Sequence, residues 1–99
     1  MTPASIRIQL APTGDIIDFP DDDDGARFRQ IEAGLIALGL ERTQSVSSGL
    51  EELSVFRRGA LHVALYWDGY FTVLRPDAEN GGDFTGLFAD MASSSVFEA

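Results

Sequence analysis

The sequence predicts a two-layer α+β domain: an antiparallel sheet, made of an N-terminal hairpin and a three- to four-strand meander, packed by two helices. Three observations carry this. Apolar residues alternate over residues 5–10, they fall at helical spacing over 26–38 and 84–91, and residues 41–75 break into short β-like runs divided by glycine-containing turns. The 99 residues are read as one domain, residues 1–99, because a chain of this length buries one core and has little left for a second.

The first strand is SIRIQL, residues 5–10, where Ile6, Ile8 and Leu10 alternate with Arg7 and Gln9 as a strand with one wet face requires. APTGD carries turn signals, and IIDF at 16–19 returns as the second strand of a hairpin. From Ala26 the period changes. Phe28, Ile31, Leu35 and Leu38 form one helical stripe that should stop at Gly39, with Leu40 folding back on Leu35 in a Schellman cap. Asp23 or Asp24 is expected to cap its N-terminus. Gly34, costing about 1 kcal/mol against alanine in mid-helix, is expected to mark a close approach to the sheet.

ERTQSVSSG is polar enough for an edge strand, and LEELSVFRRG, ALHVALYW and YFTVLRP follow it. Asp68-Gly69 is read as a two-residue type I′ loop, which sets Trp67 opposite Tyr70 and Leu65 opposite Thr72. Two faces result. One carries Leu61, Val63, Leu65, Trp67, Tyr70 and Leu74 and can cover the helices; the other carries His62, Ala64, Tyr66, Phe71, Val73 and Arg75. The second is too apolar in its middle for an ordinary solvent face. Asp83 then caps a last helix in which Phe84, Leu87, Phe88 and Met91 share a stripe, and the C-terminal segment frays or docks through Val96 and Phe97.

Composition narrows the function classes. Sixteen acidic residues against seven basic ones, all arginine, give a formal charge of -9, which repels nucleic-acid phosphates and attracts cationic surfaces. No cysteine is present, so disulfides, thiolate nucleophiles and zinc sites with Cys ligands are excluded. No run approaches the ~20 apolar residues of a membrane span. The N-terminus has no basic and apolar leader pattern, and cytoplasm is the expected compartment.

Five aspartates crowd residues 18–24 before Gly25. As a calcium loop with Gly25 at position 6, the run puts Pro20 at position 1 and Ile31 at position 12, where oxygen ligands are required, and the pattern fails. One or two carboxylates suit a helix start; the surplus points to solubility or a basic partner. The single histidine, His62, would have to serve any Ser-His-Asp arrangement, yet no serine sits in a nucleophile elbow. Glu51 and Glu52 are strand neighbours that point apart, and ENGGD lacks the lysine of a phosphate loop. Arg57-Arg58 is read as a hairpin tip.

The functional expectation is therefore a non-catalytic, acidic protein-binding module that self-associates, as a homodimer, through the second sheet face, without cofactor or metal. Its partner-binding candidates are His62, Tyr66, Phe71, Val73 and Arg75 on the sheet, with Asp21, Asp22 and Asp23 in the acidic run. Two rivals stand beside it: an acidic inhibitor or immunity-type protein that blocks a basic nuclease or toxin, and a small metal-dependent hydrolase.

Overall fold

In the computed structural model, residues 5–21, 25, 27–77 and 83–99 are described. In chain order the elements are β1 (Ile6–Arg7), β2 (Gln9–Leu10), β3 (Ile17–Asp18), α1 (Phe28–Ala37), β4 (Glu41–Ser47), β5 (Glu52–Arg58), β6 (Leu61–Trp67), β7 (Thr72–Pro76), α2 (Phe84–Ala92) and β8 (Phe97–Glu98). Six strands form one antiparallel sheet in the order β2-β3-β7-β6-β5-β4, while β1 and β8 pair in parallel as a second, two-stranded sheet. The α+β prediction holds, and the N-terminal hairpin is joined to the four-strand meander through β3 and β7.

The run expected as one strand over residues 5–10 is divided. Ile6 and Arg7 pair with Phe97 and Glu98, whereas Gln9 and Leu10 pair with Asp18 and Ile17. Ile8 is the hinge between partners, and its N–H donates to the Glu98 carbonyl at 2.8 Å. The alternation survives because Ile6 and Ile8 both enter the core while Arg7 and Gln9 stay in water. The C-terminal segment thus docks through Phe97, which is buried.

Helix α1 ends as its sequence requires. Gly39 takes φ 91, a left-handed conformation that glycine adopts without a Cβ penalty. Its N–H donates to the Ile36 carbonyl at 3.0 Å, and that of Leu40 to Leu35 at 3.2 Å, the paired bonds of a Schellman cap. The N-terminus departs from expectation. Arg27, not an aspartate, holds the N-cap position and supplies no side-chain cap; the Phe28 N–H turns to the Gly25 carbonyl instead, at 3.1 Å. Asp23 and Asp24 lie outside the described residues. Gly34 does mark a close approach, but to the C-terminal segment and not to the main sheet: a Cβ there would lie 2.7 Å from the Phe97 ring.

Asp83 caps α2 as expected, its carboxylate accepting from the Gly86 N–H at 2.9 Å and from the Thr85 hydroxyl at 3.0 Å. These donors hold the Asp83 carboxyl below its ordinary range. The two helices present Phe28, Ile31, Leu35, Phe84, Leu87 and Met91 to one buried cluster that also takes Ile17, Phe56, Leu61, Val63, Leu65 and Leu74 from the sheet. Each fully buried aliphatic side chain of this kind stabilises the fold by about 1.5–3 kcal/mol. The β5–β6 turn is the two-residue pair Gly59-Ala60, since Arg58 stands opposite Leu61. Arg57 and Arg58 therefore end a strand and do not form the tip. Arg58 reaches back to the helices, donating to the Leu38 carbonyl at 3.2 Å and to Asp90 at 2.9 Å.

The β6–β7 hairpin corrects the expected register. Trp67 faces Thr72 and Leu65 faces Leu74, so four residues, Asp68 to Phe71, make the loop. The reason is local. The Asp68 carboxylate accepts from the backbone N–H groups of both Tyr70 and Phe71 at 2.9 Å, which satisfies donors that a two-residue turn would have placed in the ladder. Because the register moves by two residues, β6 and β7 keep the expected faces. Tyr70 and Phe71 leave the sheet.

Candidate interaction surface

Pleating assigns each strand's residues to one side or the other. On the side opposite the buried cluster, the register brings together Val46 and Gln44 of β4, Leu53 and Val55 of β5, His62, Ala64 and Tyr66 of β6, and Val73 and Arg75 of β7. Helix residues join the cluster only with the other face. Among the described residues no helix covers this second face.

Its middle is apolar. Val55 and Ala64 are buried, Leu53, Tyr66 and Val73 are half-buried, and Val46 is 48% exposed. The margin is charged. Arg57 pairs with Glu41 at 3.1 Å, and the Arg75 guanidinium lies 6.0 Å from the centre of the Tyr66 ring. Burial raises the Tyr66 phenol above its ordinary range, and the Glu51 carboxylate beside it pushes in the same direction. An apolar centre within a polar rim is the anatomy of a surface that can be covered by a protein. Strand β4 forms one edge of the sheet, but charged Glu41 and Arg42 and a bulge between Arg42 and Gln44 make that edge a poor template for another strand.

The predicted partner-binding residues divide into three groups. His62, Tyr66, Val73 and Arg75 share the open face. Phe71 does not continue their ladder; it projects from the β6–β7 loop and is 68% exposed, beside Tyr70 at 72%. Asp21 lies apart, exposed and engaged by Arg7 at 3.5 Å, and Asp22 and Asp23 fall outside the described residues. Sequence reasoning missed Val46, Leu53 and Val55, whose side depended on the length of the β5–β6 turn. It also missed a notch of about 340 Å³ where the loop meets the N-terminal hairpin, lined by Gln9, Asp18, Phe19, Pro20, Tyr70, Phe71 and Thr72.

A separate polar cluster sits on the helix side. Glu32 of α1 is buried, and its carboxylate accepts from the Ser54 hydroxyl at 2.5 Å, from Arg29 at 2.7 Å and from Arg42 at 3.3 Å. Arg29 also reaches Glu52 at 3.0 Å. Burial pushes the Glu32 carboxyl up, but the donors from Ser54, Arg29 and Arg42 outweigh it and hold the group below its ordinary value. Donors from three elements thus converge on one buried carboxylate, and this cluster ties α1 to β4 and β5. Among the described residues no three His, Asp or Glu side chains converge as a metal site would need, and no helix is long and apolar enough to cross a membrane. No protein family matches the chain, and neither a curated protein nor a solved structure gives a match.

Proposed function

We propose that this chain is a non-catalytic protein-binding module, working in the cytoplasm, whose contact surface is the open face of β4 to β7 and whose simplest assembly is a homodimer joined through that face. The supporting observation is the strip of Val46, Leu53, Val55, Ala64, Tyr66 and Val73, which runs across four strands on the side away from both helices. Val55 and Ala64 are already out of water, so the free-energy gain, about 25 cal/mol per Å² removed from water, comes from Val46 and the uncovered parts of Leu53, Tyr66 and Val73. The rival reading, an acidic inhibitor of a basic nuclease or toxin, draws less support, since the described aspartates of the run do not act as one free patch: Asp21 engages Arg7 at 3.5 Å and Asp18 is held in β3.

Sedimentation equilibrium across the micromolar range tests the proposal. The expected result is a dimer that Val46→Gln combined with Leu53→Gln converts to monomer, with an unchanged circular dichroism spectrum because both side chains lie outside the core cluster. A strict monomer throughout that range removes the homodimer.

A further inference from the structure

The notch between the N-terminal hairpin and the β6–β7 loop has features that the open face does not account for. Its lining holds a single charged residue, Asp18, and among the described residues the Asp18 carboxylate makes no ion pair or hydrogen bond. Arg75 stands two residues along β7 from Val73, which pairs with Asp18, and could have served as its counter-ion. Its guanidinium instead lies 6.0 Å from the centre of the Tyr66 ring. The same lining includes Tyr70 and Phe71, both mostly exposed. Their backbones are fixed by the two bonds to the Asp68 carboxylate, so the rings are presented from a loop whose path is already set.

A carboxylate with no partner among the described residues, in a notch shared with two aromatic rings and a proline, is suited to a cation with a flat, weakly hydrated surface. We infer that the notch receives an arginine side chain of a partner protein, the guanidinium pairing with Asp18 and stacking against Tyr70 or Phe71. Arginine is preferred to lysine because its planar guanidinium can meet a carboxylate through two N–H donors and stack on a ring at once, whereas an ammonium holds its water more tightly. The notch volume of about 340 Å³ lies at the lower end of clefts that bind small ligands and suits one side chain. The chain's charge of -9 favours approach of such a cation over any anionic occupant. This inference rests on the reading of the chain as a docking protein and gives that partner a chemistry.

The test is an amide NMR titration of the full chain at low salt with N-acetyl-arginine methylamide, compared with its uncharged isostere, the citrulline derivative, and with the lysine derivative. Saturable shifts are expected at Gln9, Asp18, Tyr70, Phe71 and Thr72 with the arginine compound, weaker by roughly fivefold or more for citrulline and for the variants Asp18→Asn and Phe71→Ala. Both variants alter side chains outside the core cluster, and a dispersed spectrum verifies their fold. Equal shifts with citrulline, an unchanged response in Asp18→Asn, an equal or stronger response to lysine, or no saturable shift would each overturn the inference. A free amino-acid derivative can fill the notch of a strictly monomeric chain, so this experiment and the sedimentation experiment fail independently.

Discussion

Glu32 is the residue on which local chemistry and fold meet most closely. Its position, four after Phe28 and three before Leu35, puts it on the buried stripe of α1, where a charge survives only if donors surround it. Ser54 and the two arginines provide them. Glu32→Ala leaves the buried Ser54 hydroxyl without its acceptor and separates Arg29 and Arg42 from their shared anchor, so a loss of about 2 kcal/mol is expected in urea unfolding. Acid should act through the same group. Its folded pKa lies below the ordinary 4.5, so its stabilising contribution is fully present above that value and lost as pH falls through the depressed one. Wild type should therefore lose stability more steeply than Glu32→Gln on acidification below 4.5, and the two curves should converge; parallel curves would show that Glu32 is not ionised in the fold. The helical period places position 32 on the core side, but nothing in the sequence reveals Ser54 as its partner. That pairing depends on which face of β5 turns inward, and LSVF is apolar enough on both sides to leave the choice to the turn that follows.

Helix ends and turns are legible in this chain where their chemistry is local. The Gly39 cap and the Asp83 cap both involve groups within five residues of each other, and both appear as the sequence requires. The Asp68 loop shows the limit of such reasoning, because an aspartate that suits a type I′ turn suits equally well a longer turn in which its own side chain replaces the ladder bonds. Pairings between the two ends of the chain were not legible: Ile6 and Phe97 come from opposite ends of the sequence, and no local period records their pairing. Gly34 gives access to that contact by experiment. Alanine at this helix position would ordinarily stabilise by about 1 kcal/mol, yet a Cβ must displace the Phe97 ring, and overpacking of this kind costs about 1–3 kcal/mol. Gly34→Ala should lower the melting temperature, and the penalty should shrink in a Phe97→Leu background, where the ring atoms it meets are gone. An undiminished penalty would mean that Gly34 is needed for a reason other than the approach of β8.

The whole molecule sets an apolar sheet face against a large negative charge, and these two properties oppose each other in a homodimer. Two copies at -9 repel over a distance set by the ionic atmosphere, about 10 Å at 0.1 M salt and about 3 Å at 1 M. Burial of Val46, Leu53 and Tyr66 is little affected by simple salt over the same range, so screening should remove the repulsion while leaving the attraction in place. Dimerisation is accordingly expected to strengthen with sodium chloride, read as a rising weight-average mass at fixed protein concentration. Arginine binding in the notch should move the opposite way, since the Asp18 pair is itself an attraction that salt screens. The sequence disclosed both the charge and the two-sided apolar pattern, because a shift of register by two residues preserves the faces of β6 and β7. It could not disclose that, among the described residues, Asp18 has no counter-ion while the Arg75 guanidinium lies 6.0 Å from the centre of the Tyr66 ring. Self-association that weakened with salt would contradict the apolar face as its basis, and would point instead to contacts between the acidic surface and the arginines at its margin.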